Sequence, residues 1–103
     1  MTNGHKAKRP LVLGIQSGGT RTVALMADVD GQSILRREFG PGNLRLLDDL
    51  QLKRLGQSIA KVFPKPDALG FGVAGARTKT DRERVIRMAN QIWRGVPIHV
   101  TND

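Results

Sequence analysis

The segment from residue 11 to residue 29 constrains the fold of this chain more than any other part. Residues 11–15 form a short apolar run that predicts a buried strand, and residues 21–29 alternate loosely between apolar and polar side chains, as a second strand does. Between them, residues 16–20 read Gln-Ser-Gly-Gly-Thr, and the paired glycines interrupt the apolar pattern. The sequence therefore predicts two neighbouring strands joined by a glycine-rich hairpin.

The rest of the chain is predicted to continue as alternating strands and helices. Asp30-Gly31 is a strong hairpin signal that introduces a third strand. The later predicted elements are a strand at 32–39, a helix that begins near Asp48 and Asp49, a strand at 68–74, a helix that ends at Gly95 and a strand at 96–101. A capping box between Thr80 and Glu83 is expected to start the second helix. This order, β-β-β-α-β-α-β, predicts an α/β fold in which an antiparallel meander and two parallel strands form a mixed five-stranded sheet.

The hairpin at residues 16–20 is the first candidate for chemistry. Gly18 and Gly19 carry no side chains, so their backbone amides can approach an anion closely, and Thr20 adds a hydroxyl donor. A plain hairpin whose glycines serve only the turn is compatible with the same residues. No Gly-Lys-Ser/Thr sequence follows as in a Walker loop, and a strand rather than a helix comes next, which argues against a dinucleotide fingerprint.

The stretch at residues 13–31, which contains the hairpin, resembles a motif of a known superfamily. The segment LGIQSGGTRTVALMADVDG is similar to the first phosphate motif of the actin-like ATPases, which include sugar kinases and actin. It looks most like the branch of N-acetylglucosamine kinases and BadF/BadG/BcrA/BcrD-type ATPases, and GPGN, GFGVAGA and TND resemble later motifs of that branch in the same order. The resemblance covers residues 11–103 and implies a ribonuclease-H-like fold, of which this chain is an incomplete first lobe. Residues 1–10 are predicted to be a flexible polar tail.

The resemblance implies a nucleotide-binding role for the hairpin. Ser17, Gly18, Gly19 and Thr20 would bind the phosphates of ATP. Gln16 would occupy the position of the residue that holds Mg²⁺ through water. ATP and Mg²⁺ are therefore the cofactors that the resemblance implies.

For the acceptor, the resemblance implies contacts to a small amino sugar. Asn43 would contact a sugar hydroxyl or acetamido group, and Gly75, together with Gly72 and Ala74, would turn the chain beside the cleft. Asp103 would bind the sugar hydroxyl and take its proton as the general base. Asn43 is equally a good turn residue, and Asp103 is equally able to cap a following helix, so both alternatives stay open.

Two features depart from the pattern of the family. Gln16 and Ser17 stand where the family has aspartate and glycine, and a neutral amide cannot supply the charge that attracts Mg²⁺. Chains of the family are also much longer and hold ATP between two lobes. The expectation is therefore a fragment that is inactive by itself and needs a second lobe, in cis or in trans.

Composition narrows the range of partners. The formal net charge is +8, but the basic residues are spread along the chain and aromatic side chains for base stacking are few, so nucleic-acid binding is not expected. A basic run is predicted to be a solvated helix face; it comprises Arg77, which lies nearest the cleft, with Lys79, Arg82, Arg84 and Arg87. The chain has no cysteine, which excludes disulfides and thiolate metal sites. No apolar run is long enough to span a membrane, and a cytoplasmic location is expected.

The leading hypothesis is an ATP-dependent kinase of N-acetylglucosamine or a related amino sugar. The second hypothesis is a catalytically degenerate sugar- or nucleotide-binding module, which Gln16 favours. The third is a BadF-type activator ATPase; such activators hold an iron–sulfur cluster through cysteines, which this chain lacks. A nuclease built on the same sheet would need clustered carboxylates, and Gln16 argues against it.

Overall fold

One mixed five-stranded sheet organises the computed structural model, which describes residues 9–102. Its strands are β1 (Leu11–Ser17), β2 (Thr22–Asp28), β3 (Ser33–Phe39), β4 (Ala68–Val73) and β5 (Ile98–Asn102). They lie side by side in the order β3-β2-β1-β4-β5. The pairs β1–β2 and β2–β3 are antiparallel, whereas β1–β4 and β4–β5 are parallel. The predicted meander and the predicted parallel pair are both confirmed.

Within residues 9–102, two helices and one short 3-10 turn complete the fold. They are α1 (Asp49–Val62), α2 (Lys79–Ile92) and the 3-10 turn (Leu44–Leu46). Asp48 caps α1 by accepting from the Gln51 amide, while the Gln51 side chain accepts from the Asp48 amide. No helix within residues 9–102 is long and apolar enough to cross a membrane.

The start of α2 differs from the predicted capping box between Thr80 and Glu83. Thr78 is the N-cap residue, and its hydroxyl accepts from the Asp81 amide while the Asp81 carboxylate accepts from the Thr78 amide. Both pairs have the required spacing, so the local pattern does not separate them. The capping box forms between Thr78 and Asp81 because the Asp81 carboxylate is also held by Arg45, a residue remote in sequence.

The hydrophobic core lies between the two helices and one face of the sheet. Alternate strand residues point into it, including Leu13 and Ile15 of β1 and Phe71 of β4. The Phe71 ring meets the Trp93 ring edge-on, with centroids 6.0 Å apart. The helices approach each other closely at Gly56, where a Cβ atom would stand 2.7 Å from the Met88 sulfur.

The opposite face of the sheet has no covering element among residues 9–102. Its side chains include the exposed Leu25 and His99, and glycines at 14, 70 and 72 leave a shallow depression of about 560 Å³ between them. The exposed fractions of Val12 and Leu25 are 41% and 37%.

Candidate functional site

Three loops meet where β1 and β4 end. They are the tight turn of the hairpin, residues 18–21 between β1 and β2, together with the loop at 40–43 and the turn at 74–77. Strand register brings the first and third together, because Ser17 pairs with Val73 in the parallel ladder. The Ala74 amide then donates to the Ser17 carbonyl over 2.9 Å. The loop at 40–43 is joined to both, since the Gly42 amide donates to the Gly18 carbonyl and the Leu44 amide to the Ala74 carbonyl, each over 2.9 Å.

The predicted phosphate-binding residues occupy two different environments in the hairpin. Ser17 is buried, with its side chain against Gly42. The Gly18 amide donates to the Arg21 carbonyl over 2.8 Å, so this amide closes the turn. Gly19 and Thr20 lie exposed at the tip. Backbone donors for an anion therefore have to come from the tip rather than from Gly18.

No contact and no backbone angle among residues 9–102 requires position 19 to be glycine. A Cβ atom at this position would meet no atom of residues 9–102 within 4 Å, and the φ of Gly19 lies outside the left-handed region. At Gly18, by contrast, a Cβ atom would stand 3.3 Å from the Arg21 carbonyl oxygen. Close approach of a ligand to the Gly19 backbone is one physical reason for a glycine that packing does not require.

A cavity of about 280 Å³ opens beside the hairpin and is lined by Gln16, Gly18, Thr20, Arg21 and Val23. We call this cavity the hairpin cradle. Arg21 was not among the residues predicted for the site, although a cation directly after the Gly-Gly-Thr sequence is a signal that could have identified it. Its side chain is 62% exposed and lies 3.5 Å from the Glu38 carboxylate. The lining residues of the cradle therefore include the side-chain amide of Gln16, the hydroxyl of Thr20 and the guanidinium of Arg21, all groups that can donate to an anion.

The lining of the hairpin cradle does not fit a divalent-cation site. Mg²⁺ favours carboxylate oxygens, and Gln16 offers a neutral amide at the position that the resemblance assigns to the metal. Within residues 9–102 no three His, Asp or Glu side chains are grouped closely enough to hold a metal ion. Asp103, the predicted general base, lies outside the described residues.

The loop at 40–43 sits directly on the base of the hairpin. A Cβ atom on Gly42 would stand 2.5 Å from the Thr22 hydroxyl oxygen and 2.6 Å from the Ser17 Cβ atom. Thr22 is fully buried, and its hydroxyl has no hydrogen-bond partner within residues 9–102. Only a glycine at position 42 allows the loop to reach this depth.

The structure brings the two predicted sugar-contacting residues, Asn43 and Gly75, together. Gly75 adopts a φ of 87°, and a Cβ atom on it would stand 2.8 Å from the Asn43 Oδ1 atom. The same oxygen accepts from the Arg45 amide over 3.0 Å and caps the 3-10 turn. The capping contact agrees with the alternative reading of Asn43 as a turn residue, while its half-buried place beside the turn at 74–77 is compatible with the substrate role.

Asp81 joins the turn at 74–77 to the 3-10 turn. Its carboxylate accepts from the Arg77 and Thr78 amides and from the Arg45 guanidinium, each over 3.1 Å. The hydrogen bond from the Thr78 amide, supported by the Thr78 hydroxyl, by Arg45 and by the Arg77 amide, lowers the pKa of Asp81, although burial opposes this shift. The carboxylate is therefore ionised at neutral pH and holds Arg45 beside Asn43.

The basic run at residues 77–87 is not a uniformly solvated face, contrary to the sequence-based expectation. The side chain of Arg84 is only 23% exposed. It donates to the Leu44 carbonyl over 3.1 Å, to the Leu47 carbonyl and to the Asp49 carboxylate. Carbonyls before α1 have no helical partner there, so the partly buried Arg84 guanidinium can satisfy them. Arg77 itself is exposed.

No protein-family model matches the sequence, and no curated protein matches it in sequence. The fold, in contrast, is similar to solved structures. A protein assigned as an N-acetylglucosamine kinase from Chromobacterium violaceum gives a TM-score of 0.62 at 16% identity, covering 91% of this chain and 35% of that chain. A Bacteroides thetaiotaomicron protein with an actin-like ATPase fold gives 0.60 at 12% identity, covering 95% of this chain and 36% of that chain.

A third similar structure comes from a protein that acts on another kind of molecule. RuvC from T. thermophilus, solved with a Holliday junction substrate, gives a TM-score of 0.58 at 15% identity, covering 90% of this chain and 64% of that chain. Identities this low establish architecture and nothing finer, so the expected N-acetylglucosamine kinase and BadF branch stays a prediction. The chain has an α/β, ribonuclease-H-like fold that is similar to these structures, and it spans little more than a third of the first two chains described above.

Proposed function

We propose that this chain is part of an ATP-dependent sugar kinase and forms the portion of its first lobe that grips the phosphates of ATP. The observation that carries the proposal is the junction of three loops at the carboxyl ends of β1 and β4. Ligands of open α/β sheets bind at carboxyl ends of this kind. The exposed Gly19 adds a backbone that a phosphate can approach closely.

In this proposal the amino sugar lies beside the loop at 40–43, with Asn43 and Gly75 next to it. The Asp103 carboxylate takes the proton of the attacking sugar hydroxyl. A bond then forms between that oxygen and the terminal phosphorus, while the bond from this phosphorus to the bridging oxygen breaks and ADP leaves. Catalysis of this kind depends mainly on positioning and on stabilising charge on the transferring phosphoryl group.

A second lobe belongs to the proposal. The similar kinase and actin-like structures are much longer than this chain, which covers 35% and 36% of them. Exclusion of water and alignment of the phosphate with the sugar require closure of a cleft from two sides. We therefore expect turnover only when a second lobe is present, in cis or in trans.

The binding part of the proposal is tested on the chain itself by titrating ¹⁵N-labelled protein with ATP and, separately, with N-acetylglucosamine. ATP is expected to shift the amide signals of Gly19 and Thr20, and the sugar those of Asn43 and Gly75. Mannitol, an acyclic polyol, serves as the control for non-specific sugar effects. Shifts confined to other parts of the chain with both ligands would contradict the proposal.

The catalytic part is tested in a chimaera in which residues 11–103 replace the corresponding segment of the C. violaceum kinase. Sugar-dependent ADP formation is expected, and Asp103→Asn is expected to lower it by roughly 10²–10⁴-fold, the usual effect of losing a general base. Absence of ADP formation in a folded chimaera, even with Gln16→Asp, would favour the degenerate binding module instead. That second candidate is supported by Gln16 at the metal position.

A further inference from the structure

The charges that line the hairpin cradle are unusual for a site that receives ATP. Among its lining residues, Arg21 is the one charged side chain, and Gln16 is neutral. The phosphates of ATP carry several negative charges, which kinases usually offset with Mg²⁺ held by carboxylates. In the hairpin cradle, the positive charge comes from the Arg21 side chain, whereas a kinase site is expected to contain carboxylates that hold Mg²⁺.

The backbone fixes the position of Arg21 at the rim of the cradle. Its carbonyl accepts from the Gly18 amide over 2.8 Å, which closes the hairpin. The next residue, Thr22, is buried and pairs with Ser17 at the end of the β1–β2 ladder. The Arg21 side chain therefore extends from a rigid base, while its 62% exposure leaves it room to turn towards a ligand.

The present partner of Arg21 does not compete strongly for the guanidinium. Glu38 lies 3.5 Å from Arg21 but only 2.9 Å from Arg36. If Arg21 turns away, Glu38 therefore keeps its shorter ion pair. Exposed pairs of this kind hold their partners weakly, because water screens both charges.

We infer that the hairpin cradle binds the phosphate groups of its ligand directly through Arg21, without a bridging divalent cation. This inference rests on the proposed function, since it takes the phosphate role of the hairpin as given. A guanidinium presents its N–H donors in a planar fork that matches two phosphate oxygens, and it keeps its charge at every physiological pH. The hydroxyl of Thr20, which lines the same cradle, supplies a further donor, and the neighbouring Gly19 backbone is exposed at the hairpin tip.

The inference is tested by isothermal titration of the full chain with ATP, once with excess EDTA and once with excess MgCl₂. The dissociation constant is expected to be equal in the two buffers within about three-fold, since roughly half a logarithmic unit lies near the scatter of such measurements. Arg21→Ala is expected to weaken binding by about ten-fold or more, as the loss of a charge-assisted phosphate contact does.

Arg36→Ala is the matched control. It removes the same charge and also breaks an ion pair with Glu38, but Arg36 does not line the cradle. Its effect on ATP binding is expected to stay within about two-fold, the size of a purely long-range effect of one screened charge. Both arginines are exposed, so both variants are expected to fold, which amide spectra check. Equal weakening by the two variants would show diffuse charge attraction and overturn the inference.

A variant that adds a carboxylate to the cradle provides a second test of metal dependence. Gln16→Asp places a carboxylate in the cradle, so ATP binding is expected to weaken in EDTA and to recover with MgCl₂. For the natural sequence, binding that is lost in EDTA and restored by MgCl₂ would overturn metal independence but leave the proposed phosphate site standing. Absence of ATP binding in both buffers would remove the phosphate site and this inference together.

Discussion

Gly42 lies so close to Thr22 that a Cβ atom on the glycine would stand 2.5 Å from the threonine hydroxyl oxygen. Thr22 begins β2, whereas Gly42 belongs to the loop after β3. This contact, together with the hydrogen bond from the Gly42 amide to the Gly18 carbonyl, presses the loop at 40–43 onto the hairpin that holds the candidate phosphate site.

Gly42→Ala is expected to destabilise the fold. Neither Thr22 nor the Ser17 Cβ atom can move away easily, because both belong to the central strands. Overpacking of this kind costs about 1–3 kcal/mol in the free energy of unfolding, which urea denaturation measures. Gly40→Ala is the control, since a Cβ atom there would meet no atom of the described residues within 4 Å. Equal stability of the two variants would show that the loop does not pack as described.

Gly19→Ala is expected to lower the affinity for ATP without changing the stability of the fold. The added methyl group would meet no atom of the described chain, so the midpoint of urea denaturation is expected to stay near that of the natural sequence. Because the methyl group stands where a ligand approaches the backbone, the affinity for ATP is expected to fall by about ten-fold, or roughly 1.4 kcal/mol. Unchanged affinity would mean that phosphate does not approach the hairpin tip.

Replacement of two nearby threonines is expected to have unequal effects. Thr78→Ala removes the N-cap of α2 and is expected to cost about 1 kcal/mol of unfolding free energy. Thr80→Ala lies inside the exposed first turn and is expected to change stability by less than about 0.5 kcal/mol. The two variants have the same chemistry and differ only in position. A larger loss at Thr80 would restore the sequence-based capping box.

The contribution of Asp81 is expected to depend on pH. The pKa of this carboxyl is lower in the folded chain than its ordinary value, so its ionised form stabilises the fold. That stabilisation is present above the unfolded pKa of about 4 and is lost as the pH falls through the lower folded value. The difference in stability between the natural sequence and Asp81→Asn is therefore expected to be largest near pH 7 and to shrink towards pH 3.

Denaturation of both proteins across this pH range checks the prediction. Glu83→Gln is the matched control on the same helix, because the Glu83 carboxylate is exposed and pairs only with Lys79 at 4.0 Å among the ion pairs of residues 9–102. A pH-independent difference for Asp81→Asn would show that the carboxylate charge does not stabilise the fold.

The order of strands and helices could be predicted from the sequence because it depends on local pattern. The apolar run at residues 11–15, the loose alternation at 21–29 and the turn signal Asp30-Gly31 are properties of neighbouring residues, and the predicted meander followed directly from them. The bounds were less accurate: the last strand begins at Ile98, two residues after the predicted start, since Pro97 precedes it.

The candidate site was only partly predictable. The sequence alone identified the residues of the hairpin as candidates. It also identified Asn43 and Gly75, which the structure brings into contact. Arg21 and Asp81 were missed because their importance comes from what lies near them in space, namely the cradle and Arg45.

By itself, then, the sequence determined the α/β succession of elements and the glycine-rich hairpin, because both arise from spacing between adjacent residues. Only the tertiary structure decided which threonine caps α2, why Arg84 is partly buried and why position 42 must be glycine. Each of these depends on a partner distant in the chain: Asp81 on Arg45, Arg84 on the Leu44 carbonyl, and Gly42 on Thr22. Contacts of that kind are set by the register of the sheet and by the packing of helices upon it, which no local pattern encodes.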